Sequence, residues 1–201
     1  VISMEYLGPA HASAVERVVA SLPTSDVRVV LAARDVNRSL VSMWQEKVQN
    51  GRPWTWAEYV ADARDKAPGE TDGTRDRLTL GGSFWRQQHI ARMWSTWAQG
   101  VGRDRCTLVT LPPPGAPADT LPRRFQEAAG LTFEDLAPPR RDNASLGLPS
   151  VLVLRQLNEL LEQRGIGPEV GMKLRKNGLA KNFLPRHRHE ERDAIDRGMA
   201  L

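Results

Sequence analysis

An α/β fold, a parallel sheet flanked by helices, is what this sequence predicts, and three observations predict it. Short apolar runs at 1–4, 27–33 and 106–111 have the length and β-branched content of strands. Segments of helical period separate them, and such alternation implies parallel pairing through right-handed crossovers. With 201 residues and 40% hydrophobic content, the chain can build one ordinary core.

The elements follow in order. Val1-Ile2-Ser3-Met4 reads as a short strand that ends at Glu5, so the chain is expected to begin inside a folded element. Pro9 suits a first helical turn, and Val15, Val18, Val19 and Leu22 then form one apolar face, which predicts a helix over 9–22. Residues 27–33 form a nearly continuous apolar run, as expected of a strand covered on both faces. Asp35 can cap the next helix, which carries Val36, Leu40, Val41, Met43, Trp44 and Val48 and stops at Asn50-Gly51.

A short helix is predicted after Thr55, and 66–82, rich in Gly, Asp, Thr and Arg, reads as a mobile surface loop. One amphipathic helix is predicted over 84–99, with Trp85, Ile90, Met93, Trp94 and Trp97 as core packing rather than a stacking platform. The strand at 106–111 is stopped by Pro112-Pro113-Pro114-Gly115, and helices are expected over 119–129 and 151–163. Beyond Gly165 the chain turns basic, so 166–201 is expected to be a separate C-terminal segment, helical or partly disordered.

Charge narrows the partners. A net charge of +4 with 26% charged residues favours an anionic ligand without choosing among phosphate, sulfate, nucleic acid and membrane surface. Phe183 is the one aromatic in the basic segment after residue 172, which disfavours stacking on nucleic-acid bases. Cys106 is the only cysteine, so the chain has no internal disulfide framework and fits a reducing compartment. No apolar run approaches the ~20 residues that span a bilayer, and a soluble cytoplasmic protein is expected. His187-Arg188-His189-Glu190-Glu191 lacks further His or Cys partners and reads as a solvated tail rather than a metal site.

In parallel sheets ligands gather beyond the carboxyl ends of the strands, which directs attention to Glu5, to Arg34-Asp35 and to the loop after Leu111. Arg34 stands at a strand tip and Ser42 eight residues on, inside the following helix. A guanidinium fork matches phosphate oxygens and a helix hydroxyl adds a donor, so the pair can converge on one anion.

A strand ending in Arg with Ser eight residues on resembles the 3′-phosphate site of the sulfotransferases that use 3′-phosphoadenosine 5′-phosphosulfate (PAPS). Ala33-Arg34-Asp35, Trp44-Gln45-Glu46, Asn50-Gly51, Phe84-Trp85, residues 112–117 and Asn143-Ala144-Ser145-Leu146-Gly147 are similar to actinobacterial sulfotransferase-like proteins. The resemblance spans residues 1 to about 180. It implies an incomplete P-loop-type sulfotransferase fold over 1–165, with PAPS as cosubstrate and a small-molecule, glycan or lipid hydroxyl, or an amine, as acceptor. It gives Arg34 and Ser42 the 3′-phosphate. Glu5 becomes the candidate base, since the family's base can lie at the end of the preceding strand. Arg140, Arg141, Asn143 and Ser145 follow Pro138-Pro139 in a loop and are expected to close over the nucleotide, Arg141 and Asn143 foremost, since arginines before a polar turn suit phosphate contact.

The sequence departs from the family in two respects, one being the base, which is His in many family members and Glu in others and for which Glu5 is the only candidate here, and the other the phosphate loop. Neither G-x-x-x-x-G-K-[ST] nor the family's Pro-Lys-x-Gly-Thr-Thr loop occurs, so the chain by itself is expected to be inactive, with that loop upstream of Val1. Two other classes stay open: a nucleotide-binding kinase of related fold, which would need G-K-[ST] and acidic Mg²⁺ ligands, and a non-catalytic module for anions or nucleic acid.

Overall fold

The computed structural model describes residues 2–24, 26–68, 79–132 and 146–180. It is a mixed α/β protein, mostly helical, with one two-stranded parallel sheet among the described residues. In chain order the regular elements are α1 (Ala12–Ser21), β1 (Val29–Ala33), α2 (Val36–Gln49), α3 (Trp56–Asp65), α4 (Leu80–Gln88), α5 (Ile90–Val101), β2 (Cys106–Thr110), α6 (Thr120–Ala129), α7 (Leu148–Gln163) and α8 (Pro168–Met172). A π-helical segment, Lys173–Ala180, follows α8. None of the described helices is long and apolar enough to cross a membrane.

The chain divides into two compact units. The first comprises Val1–Asp35, Pro68–Leu78 and Trp85–Arg140, and the second Val36–Ala67, Thr79–Phe84 and Arg141–Leu201.

In the first unit β1 and β2 run parallel, with Val29 opposite Cys106 and Ala33 opposite Thr110. Helices α1 and α5 pack together, and α5 packs on both strands. Val15, Leu31, Met93, Trp97, Ala98 and Cys106 form the buried cluster. Two tryptophans of α5 are structural: Trp97 Nε1 donates to the Leu7 carbonyl (3.0 Å) and Trp94 Nε1 to that of Cys106 (3.3 Å). Each ring therefore buries its apolar body while its N–H stays satisfied.

Three expectations about this unit are corrected. Residues 2–4 are not a strand. Met4 has extended dihedrals, but the segment pairs with no neighbouring strand among the described residues, and extended backbone becomes a strand only through a ladder. The sheet therefore shows two strands there, not three. Ala32 is exposed, so the run over 27–33 is not covered on both faces by the described residues; Leu108 of β2 is exposed as well.

The second unit is built around α2, which buries Leu40, Val41, Met43, Trp44 and Val48 against α3, α7 and the π-helical segment. Spacings of three, four and seven residues put these side chains on one face. A reciprocal capping box starts α3: Thr55 Oγ1 accepts from Glu58 N (3.2 Å), and the Glu58 carboxylate accepts from Thr55 N (2.9 Å). Tyr59 and Phe84 meet edge to face with centroids 6.3 Å apart.

The helix expected over 84–99 is two helices. His89, at φ −77° and ψ 79°, leaves helical geometry, and its Nδ1 accepts from Arg92 N (3.3 Å), capping α5. The loop expected over 66–82 also ends early, because α4 begins at Leu80. Asp62 Oδ2 accepts from Gly81 N (2.6 Å), Thr79 Oγ1 accepts from Gly82 N (3.0 Å), and a Cβ at Gly81 would strike the Asp62 backbone. Glycine here permits a close approach of two helices rather than marking a loop. Residues 69–78 lie outside the described residues.

Candidate functional site

The carboxyl end of the sheet is built by the register of β1 and β2. Ala33 faces Thr110, and the Ala33 carbonyl accepts from Leu111 N (2.8 Å), so the strands leave the sheet together. Arg34, half-buried, is the first residue beyond β1. At the end of β2, Arg124 of α6 reaches back: its Nη1 donates to the Thr110 carbonyl (2.7 Å) and lies 3.2 Å from Thr110 Oγ1. Two arginines thus stand at the carboxyl edge of one parallel pair, where an α/β sheet presents its ligand.

Arg124 was not legible as a site residue. It lies in a polar helix with no motif around it, and only the return of α6 over β2 brings it to the strand end.

Ser42 is half-buried on α2, among the helix positions that carry Val41 and Met43 into the core. The division between units falls between Asp35 and Val36, so Arg34 belongs to the first and Ser42 to the second. Glu5 is exposed and opens a 3-10 turn, Glu5–Leu7, whose Glu5 carbonyl accepts from Gly8 N (3.2 Å). It is not at a strand tip, which corrects the placement expected for it. Arg140, Arg141, Asn143 and Ser145 lie outside the described residues, as does His187 through Glu191. Among the described residues no group of three or more His, Cys, Asp or Glu could hold a metal.

Two concave surfaces accompany these residues, one in each unit. In the second unit, Pro53, Trp54, Thr55 and Glu58 face Arg155, Glu159, Glu162 and Gln163 of α7 across a cleft of about 460 Å³. Its polar groups are largely committed to one another. Arg155 Nη1 donates to the Pro53 carbonyl (3.2 Å) and pairs with Glu159 (3.4 Å), while the Arg52 guanidinium lies 5.2 Å from the centre of the Trp54 ring. Hydrogen bonds from the Thr55 backbone and side chain hold the Glu58 carboxyl below the usual carboxylate range. In the first unit, Gly8, Pro9, His11, Arg92 and Thr96 line a recess of about 90 Å³.

Other shifted groups are explained by burial. Burial pushes the Cys106 thiol and the Tyr59 hydroxyl up, and holds the Arg175 guanidinium below its usual value. Cys106 is a free, buried thiol in the core of the first unit.

These features define a mixed α/β protein with a basic carboxyl edge on its parallel strands. The chain matches no protein-family model, no curated protein and no solved structure.

Proposed function

We propose that the protein serves sulfuryl transfer from PAPS, with Arg34 as a ligand of the nucleotide's 3′-phosphate, on a P-loop-type sulfotransferase fold. The carboxyl edge of β1 and β2 carries this reading: Arg34 follows the strand directly and Arg124 stands over its neighbour. Parallel strands offer anions that position, and guanidinium forks match phosphate oxygens better than ammonium groups do. The role of Ser42 rests on the sequence resemblance alone. Sulfuryl transfer needs positioning and charge stabilisation more than covalent chemistry from the protein, so a basic edge is the feature such a reaction draws on.

Titration of the 201-residue chain with 3′-phosphoadenosine 5′-phosphate tests this reading without requiring turnover. Charge-assisted hydrogen bonds contribute roughly 1.5 to 3 kcal/mol, so Arg34→Ala weakens binding by about one to two orders of magnitude, with Ser42→Ala costing less. Adenosine 5′-phosphosulfate, which lacks the 3′-phosphate, responds little to either change. Equal losses for both nucleotides would refute a 3′-phosphate role. Binding that falls steeply with salt and ignores the nucleotide would instead mark a general anion-binding module.

A further inference from the structure

The second unit buries two polar atoms without hydrogen-bond partners around a single turn. Asn158 of α7 is 2% exposed; its Nδ2 donates to the carbonyls of Val48 (2.8 Å) and Arg52 (3.0 Å), while its Oδ1 has no partner. Arg175 of the π-helical segment is 6% exposed, and its Nε has no partner either. A Cβ at Gly51 would lie 2.5 Å from one terminal nitrogen of Arg175, and a Cβ at Gly171 2.6 Å from the other. Gly51 itself donates to the Val48 carbonyl (3.0 Å) and has φ 101°, so this turn is tied to α7 by Asn158 and touched by Arg175.

We infer that Arg175 and Asn158 form a buried polar latch that fastens the C-terminal segment over the turn 48–52. Arg175 Nε–H is a donor without an acceptor and Asn158 Oδ1 an acceptor without a donor, both desolvated. Leaving either unmet costs about 1 to 3 kcal/mol, so each atom requires a partner at the turn, and a single water accepting from Nε and donating to Oδ1 would meet both. The guanidinium lies against Gly51, just beyond the carboxyl end of α2, where a helix dipole favours a cation. Two glycines leave the space: a side chain at Gly51 or Gly171 would occupy the guanidinium's position. Because the turn leads straight into Pro53 and Trp54, the latch also fixes the wall of the 460 Å³ cleft.

Native-state amide exchange on the full chain tests the latch. Arg175→Met keeps an unbranched stem as far as the Nε position but removes the Nε–H donor and the guanidinium beyond it. It speeds exchange of the Gly51 and Arg52 amides by about tenfold, the equivalent of 1.4 kcal/mol, and leaves those of β1 and β2 unchanged. Unchanged exchange at the turn overturns the inference, since the turn is then held as tightly without the guanidinium as with it, and the double-mutant cycle separates lost bonding from lost packing. A double-mutant cycle adds a second readout. Asn158→Leu and Arg175→Met together disturb the unfolding constant about threefold or more less than the product of the single effects; strict additivity also overturns the latch. If Asn158→Leu does not fold, the exchange result for Arg175→Met decides alone.

Discussion

In the second unit Trp44, Val48, Tyr59, Phe84 and Leu154 are each at most 1% exposed, whereas in the first unit Leu108, in the middle of a strand, is 43% exposed. Both units draw on similar apolar content, but a helix pair satisfies its backbone internally and can close a core from a few side chains. Strands depend on neighbours for hydrogen bonds and on layers above and below for burial. The helical unit is thus expected to hold the more stable core, and the strand unit carries the basic carboxyl edge of β1 and β2.

The largest effects test that contrast directly. Trp44→Ala removes a 1%-exposed ring and its Nε1 hydrogen bond to the Trp54 carbonyl (3.0 Å), and is expected to cost about 3 to 5 kcal/mol. Leu31→Ala, in the core of the strand unit, is expected to cost about 2 kcal/mol, the lower end for such truncations. Urea unfolding followed by far-ultraviolet dichroism measures both. A larger loss for Leu31→Ala would reverse the assignment of the stable core.

A smaller effect sharpens the comparison within the helical unit. Thr55→Ala removes the capping box of α3 and is expected to cost about 1 kcal/mol. The Glu58 carboxyl, lowered in the folded state by Thr55, contributes stability that is present above its unfolded pKa and is lost as pH falls through the folded value. Glu58→Gln, which removes the titrating carboxyl, therefore flattens the acid limb of the stability curve, whereas Thr55→Ala keeps the backbone N–H that is the larger cause and flattens it only in part. An acid limb of undiminished slope would show that the box does not hold the carboxylate.

The smallest effect belongs to His89, at the junction of α4 and α5. Burial first, and then the charge of Arg92, hold its imidazole below the ordinary histidine value, against its own backbone hydrogen bond. A base depressed in the folded state leaves stability whole at neutral pH and removes it as pH falls through the unfolded value toward the folded one. Wild-type protein is therefore expected to melt lower at about pH 5 than at about pH 7.5, beyond the loss seen for His89→Asn, which keeps a capping acceptor but does not titrate. Parallel pH dependence in the two proteins would assign the acid sensitivity elsewhere.

Much of the element order could be read from the residues. Val36 to Val48 carry a helical stripe that becomes α2, and Cys106-Thr107-Leu108-Val109-Thr110 became β2, because local periodicity and β-branched content act within a few residues. Thr55 with Glu58 three residues on is a capping box in sequence and in structure. The residues 1–4 show the limit: their composition suits a strand, but strand formation is a property of two segments, and the ladder is missing among the described residues. His89 broke a helix that the tryptophan spacing made continuous, since one side-chain acceptor outweighs propensity at a single position. Arg34 could be chosen from its place after an apolar run, which sequence order alone decides. Arg124 and the Arg175–Asn158 turn could not, because each depends on segments brought together from 14 to 110 residues apart. Sequence by itself determined which segments are helical or extended, through short-range sterics and periodicity. Only tertiary structure decided which strand edge gathers charge and which polar groups are buried, because desolvation and long-range pairing exist only once the chain has closed.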